Sequence, residues 1–149
     1  MIAKPIDNPS PVWDLIKTRM LDDGGLIATQ GEFIGVFDDD DMIAAYQIKR
    51  WNDYCFEING GVHPAWWGKG AEICEFLGKM IFYNTSCLKI IAIIPEYNRL
   101  MRKAVQKAGL VQEGIITKSF LKWMKMHDMY VYGITKDKAR KEGRLWLQQ

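Results

Sequence analysis

Residues 62–71, Val-His-Pro-Ala-Trp-Trp-Gly-Lys-Gly-Ala, have the composition of an anion site. They leave a segment with strand character and enter one with helical spacing, so successive backbone N–H groups converge at the positive end of a helix dipole. Gly68 and Gly70 carry no Cβ that would hold a phosphate away from the main chain. Trp67, Gly68, Lys69, Gly70 and Ala71 therefore form a candidate pyrophosphate cradle, with the Lys69 ammonium near a phosphate and the Trp66 and Trp67 rings placed to stack on a base. A plainer reading stands beside this one. A GxG pair at a helix start is also a common tight turn, a lysine there also suits solvent, and the tryptophans also suit packing on a sheet. The segment is neither a Rossmann GxGxxG nor a P-loop, because the lysine falls between the glycines and no GKS or GKT follows.

Other reactive residue types are sparse. His63 precedes Pro64, and His127 is the other histidine; a structural role is the simpler reading, and neither base nor ligand function is assigned. Asp38, Asp39, Asp40 and Asp41 are consecutive carboxylates without the alternating positions and glycine of a calcium loop, so they read as a polar turn rather than a metal site. Cys55, Cys74 and Cys87 are odd in number and lack CxxC spacing. That suits a reducing cytosol rather than a disulfide framework or zinc site, and no metal is expected.

The elements that must position the glycine turn follow from the apolar pattern. Residues 32–37 and 42–51 read as strands joined by the aspartate run. A third strand, 54–62, is interrupted by Asn59, Gly60 and Gly61, where a bulge or the close approach of another backbone is expected. Ile73, Phe76, Leu77, Met80 and Ile81 recur at helical spacing over 71–83. Residues 88–94 are continuously apolar and end at Pro95, the pattern of a central strand buried on both faces. A helix over 99–108 closes at Gly109, and 115–120 and 129–134 supply two last strands. Near the start, Val12, Leu15, Ile16 and Met20 mark a first helix ended by Gly24 and Gly25. The stretch bearing Lys136, Lys138, Arg140, Lys141 and Arg144 is basic; it reads as a solvated tail, with nucleic-acid binding as the weaker alternative.

At 149 residues the chain is expected to be one domain, 1–149, of the α/β (α+β) class: a mixed sheet with helices on both faces. Apolar residues at 48% and charged residues at 26% are usual for a folded globular chain, and a net charge of +2 gives no electrostatic footprint for nucleic acid. The sequence opens without a basic-then-apolar leader and contains no apolar run of membrane-spanning length. A soluble, cytoplasmic protein without a membrane partner is therefore expected.

Over residues 55–137 the sequence resembles the GNAT superfamily, and within it the RimJ/RimL-like N-acetyltransferases. Glu57, Ile58, Pro64, Trp66, Trp67, Gly68, Lys69 and Gly70 match that family's Glu-Ile strand, proline, aromatic and Trp-Gly-Lys-Gly without a gap. Pro95, Glu96 and Asn98 match its Pro-Glu-Asn with one residue inserted, and Lys107, Gly109, Leu110, Glu113 and Gly114 match the end of the helix that follows. The run from His127 and Asp128 through Met129, Tyr130, Val131 and Tyr132 resembles its closing strand.

The resemblance implies a mostly antiparallel sheet with a splayed central strand pair and acetyl-CoA lying between the splayed strands. Its pantetheine would pair with the main chain of Gly61, Val62 and His63, its pyrophosphate would rest on residues 67–71, and Asn98 would add a contact. A primary amine, either a protein N-terminus or a small amine, would attack the thioester directly, which needs a base for the ammonium proton and a donor for the oxyanion. Glu57 is the candidate base if it faces the splayed gap, where burial would raise its pKa towards neutrality; the alternative is that it alternates outward and is solvated. Tyr130 and Tyr132 are candidates for returning a proton to the thiolate, or else core residues with wet hydroxyls. The sequence also departs from the family. Ala65 stands where many members have Gln or Arg, and Met101 and Val105 stand where members carry a Ser or a Tyr as thiolate proton donor. The resemblance and its departures leave two functions open: an N-acetyltransferase, or a catalytically weak or inactive GNAT-fold binding or structural protein, with a bacteriophage as one source.

Overall fold

The computed structural model describes residues 1–8, 10, 11, 14 and 31–142. The helix expected near residues 12–20 lies outside them. Seven strands, β1 (Ile2–Ile6), β2 (Glu32–Asp38), β3 (Asp41–Asn52), β4 (Cys55–Val62), β5 (Lys89–Pro95), β6 (Val111–Lys122) and β7 (Lys125–Thr135), form one sheet in the order β1-β2-β3-β4-β5-β7-β6. Every neighbouring pair is antiparallel except β4 and β5. Their parallel pairing needs a crossover, and a 3₁₀ helix (Pro64–Lys69) running into α1 (Gly70–Asn84) supplies it. The helix α2 (Arg99–Lys107) joins β5 to β6, and α3 (Lys136–Lys141) follows β7.

Period-two alternation assigns the faces. Phe56, Ile58 and Val62 of β4, Ala92 and Ile94 of β5, and Tyr132 and Ile134 of β7 point to one face, where they form the core with Ile73, Leu77 and Ile81 of α1 and Val105 of α2. The register puts Gln47, Glu57, Asn59 and Ile91 on the opposite face, and these are buried as well.

Several elements differ from the sequence expectation. β1 is a short, largely exposed edge strand containing Pro5, a residue that the sheet interior excludes and an edge tolerates. The pairing Gln47↔Asn59, Tyr46↔Gly60, Ala45↔Gly61 runs without a register shift, so β4 has no bulge at its glycines. The close approach does occur: a Cβ on Gly60 would lie 2.1 Å from the Ala45 carbonyl oxygen. The aspartate run is the expected hairpin connection but tighter than its four residues, with β2 ending at Asp38, β3 starting at Asp41 and a two-residue turn between them. Gly109 has φ 106° and follows α2. Its N–H donates to the Gln106 carbonyl and the Leu110 N–H to that of Val105, the Schellman pattern that stops a helix. The basic stretch starts as α3, where Lys136 donates to the Phe82 carbonyl and Lys138 pairs with Glu142.

Candidate functional site

β4 and β5 are paired at only three rungs, Cys55↔Lys89, Phe56↔Ile90 and Glu57↔Ile91. Beyond Glu57, β4 stays with β3 as far as Val62↔Ala44, whereas β5 stays with β7 as far as Pro95↔Met129. The two strands diverge, and their facing edges border an opening. On the helical side of this opening is a cavity of about 80 Å³. Asn59, Gly60, Pro95, Asn98 and Met101 line it towards the open end of the splay.

The glycine turn adjoins this opening. The 3₁₀ helix is tied at both ends: the Ala65 N–H donates to His63 Nδ1, the Trp66 N–H to the His63 carbonyl, and the Gly70 N–H to the Trp67 carbonyl. Trp67 Nε1 donates to the Val62 carbonyl, and the His63 N–H donates to the Ile43 carbonyl. Two of the main-chain groups expected to pair with pantetheine are thus engaged within the chain. The glycines differ in what they serve. Gly70 is buried, and a Cβ there would lie 3.3 Å from the Ala104 Cβ, so it lets α1 pack on α2. Gly68 is exposed, and a Cβ built on it meets nothing within 4 Å. The open space at Gly68 and the N-terminus of α1 suit an incoming phosphate. Lys69 is exposed beside them, 3.7 Å from Glu72, and Ala71 opens the first turn of α1.

Glu57 occupies the last rung before the strands part. It is 7% exposed, so the solvated alternative does not hold. Its carboxylate accepts from Trp51 Nε1 at 3.0 Å and from Asn59 Nδ2 at 2.5 Å, one donor to each oxygen. By strand alternation the side chain lies on the face opposite α1 and α2. Tyr132 is fully buried, and its hydroxyl accepts from Arg102 Nε at 2.9 Å; the same guanidinium stands 4.1 Å from the Tyr130 ring centre. Neither tyrosine lines the cavity. Asn98 caps α2, its side-chain oxygen accepting from the Met101 N–H, and Asn98, Met101 and Val105 all turn towards the cavity. Met101 and Val105, two of the three positions where the sequence departs from the family pattern, therefore form an apolar wall there.

Trp51, Asn59 and Arg102 escaped the sequence reading. The two-residue spacing of Glu57 and Asn59 on one strand is a usable signal for a same-face pair, but no local pattern marks Trp51 or Arg102. Among the described residues no group of three or more His, Cys, Asp or Glu side chains is placed to hold a metal ion. Among them, too, no helix is long and apolar enough to cross a membrane.

No family model and no curated protein matches the chain. Solved structures do. A GNAT-family acetyltransferase from Bacillus anthracis superposes with a TM-score of 0.60 at 20% identity, over 71% of this chain and 66% of its own. A chimera of SpeG, the spermidine N-acetyltransferase from Vibrio cholerae, with hSSAT gives 0.74 at 14% identity, over 95% of this chain and 99% of its own. A SpeG point mutant gives 0.71 at 14% identity, over 96% and 98%. The chain thus spans slightly less than two thirds of the Bacillus structure and nearly all of the other two. At such identities the likeness is one of fold: the chain has the mixed α+β fold of the GNAT acetyltransferases, a seven-stranded, mostly antiparallel sheet parted between β4 and β5.

Proposed function

We propose that the protein is an N-acyltransferase that moves an acetyl group from acetyl-CoA to a primary amine, a protein N-terminus or a small amine, in the cytoplasm. The observation that carries this is the junction of the strand opening, the apolar cavity and a helix N-terminus with open space at Gly68. The pyrophosphate rests on Trp67, Gly68, Lys69, Gly70 and Ala71. The pantetheine follows the exposed edge of β4 towards Gly61, and Asn98 holds it from the other side. The amine approaches from the face that carries Glu57, so the substrates meet across the gap. The amine nitrogen attacks the thioester carbon, the C–S bond breaks and CoA leaves as thiolate. Glu57, held by Trp51 and Asn59, takes the ammonium proton, directly or through one water. Tyr132, buried with its oxygen accepting from Arg102, and Tyr130 beside that guanidinium lie outside the cavity lining, so CoA leaves as the thiolate without a proton from either.

The apolar wall of Met101 and Val105 favours a second function, a GNAT-fold protein that binds CoA and transfers little or nothing, as in a binding or structural component. Calorimetric titration with CoA, followed by CoA release from acetyl-CoA with a panel of amines and peptide N-termini, separates the two. Binding with release supports the transferase, binding without release the second function, and no binding refutes both.

A further inference from the structure

We infer, on the basis of that CoA-dependent function, that the acyl group carried on the thioester is longer than acetyl: a straight chain of three to four carbons whose tail lies in the cavity beneath the paired rungs of β4 and β5. The cavity continues past the open end of the splay. Ile90, which pairs with Phe56 at a closed rung, lines it together with Ile134 on the neighbouring strand, Leu77 and Ile81 of α1, and Leu110 after α2. An acetyl group has no use for this part, because its carbonyl must sit at the gap to be attacked and only one methyl remains beyond it.

Chemistry and size both point to an alkyl tail. No charged residue lines the cavity, and Met101 and Val105 extend the apolar wall to its open end. Such a wall disfavours water and polar acyl groups and favours methylenes. An unfilled apolar space in a close-packed core also costs stability, so its retention calls for an occupant. An apolar cavity of about 150 Å³ holds benzene, roughly 25 Å³ per carbon. On that scale the 80 Å³ here, whose open end also takes the thioester carbonyl, holds an acyl chain of about three to four carbons in all, propionyl to butyryl.

The test is calorimetric titration of the full chain with CoA, acetyl-CoA, butyryl-CoA and octanoyl-CoA, repeated with Ala92→Leu, which narrows the cavity, and Ile81→Ala, which enlarges it. Affinity should rise about fourfold per methylene from acetyl to butyryl and fall again at octanoyl. Ala92→Leu should bring the preference back towards acetyl, and Ile81→Ala should move it to a longer chain. If the protein binds CoA but takes butyryl-CoA no more tightly than acetyl-CoA, the inference is overturned and the CoA-dependent function stands. If no CoA species binds, both fall. The unmodified protein decides the matter even where a variant fails to fold.

Discussion

At Gly68 the demands of the fold and of a ligand come apart. Its φ lies outside the left-handed region, and a Cβ there meets nothing within 4 Å. Neither conformation nor packing requires a glycine. Gly68→Ala should leave stability unchanged or raise it by up to about 1 kcal/mol, because alanine restricts the unfolded chain. Gly68→Val places a branched carbon where a phosphate oxygen would approach the main chain. Losing one charge-assisted N–H···O contact costs about 1.5–3 kcal/mol, which corresponds to CoA binding roughly ten- to a hundredfold weaker. Gly70→Val is no substitute, since its side chain would be driven against Ala104 and wedge α1 from α2. Lys69→Ala removes an exposed charge, and the loss should not exceed about tenfold, about 1.4 kcal/mol. The assay is CoA titration with thermal unfolding measured alongside. Wild-type CoA affinity in a folded Gly68→Val protein would refute the cradle, and a clear loss of thermal stability in Gly68→Ala would refute the claim that the fold does not need the glycine.

Glu57→Gln should lower kcat/KM by about 10²–10⁴ at neutral pH and by less at high pH, where the amine sheds its proton unaided; an equal loss across the pH profile would remove Glu57 as the base. Gly109→Ala forces a side chain onto a residue with φ 106° and should cost about 1–2 kcal/mol in denaturant unfolding, whereas an unchanged midpoint would mean that the helix end relaxes freely. Burial pushes the Cys74 thiol up to about 12; the residue is half-buried and lines the cavity. A thiol whose pKa is raised by folding stabilises the native state while it stays protonated. Its contribution is complete below the unfolded thiol's value near 9 and is lost as pH climbs through the folded one near 12. In the native protein Cys74 should resist alkylation at pH 8, and rapid labelling there would overturn the assigned burial.

Local pattern made much of the fold legible. The apolar run before Pro95 became the central strand β5, and the spacing of Ile73, Leu77 and Ile81 became the buried face of α1. Gly109 stops α2 as a left-handed glycine should. What local pattern missed has a common physical cause. β1 owes its existence to pairing with β2 rather than to its own residues, among them the strand-averse Pro5. The hold on Glu57 comes from Trp51, across the β3–β4 turn, and that on Tyr132 from Arg102, thirty positions away in sequence. Side-chain contacts between elements leave no period in the sequence. The divergence of β4 and β5 is likewise a property of pairing: nothing within β5 states that it abandons β4 after Ile91.

The environment of Glu57 bears on whether the proposed transfer is possible without the Ser and Tyr proton donors of the family that the sequence resembles. A buried carboxylate is a poor structural device: burying it is costly, and well-packed apolar residues at such positions are often neutral or stabilising. Here one donor is supplied to each oxygen, from Trp51 and Asn59, at the rung where the strands part. Met101 and Val105 stand on the other face of the sheet, in the cavity where a leaving thiolate would form. In the proposed reaction these two residues would therefore touch departure of the thiolate and leave proton removal from the amine intact. General acid help is worth about a hundredfold or more, but a thiolate is a competent leaving group without it, so slow transfer rather than none is the expected consequence. An apolar wall at that point also lines the route along which a longer acyl chain would lie. Of the two residues that remove the acid from the proposed reaction, Val105 is smaller than a tyrosine and would make room for a different acyl group, and Met101 keeps its path apolar.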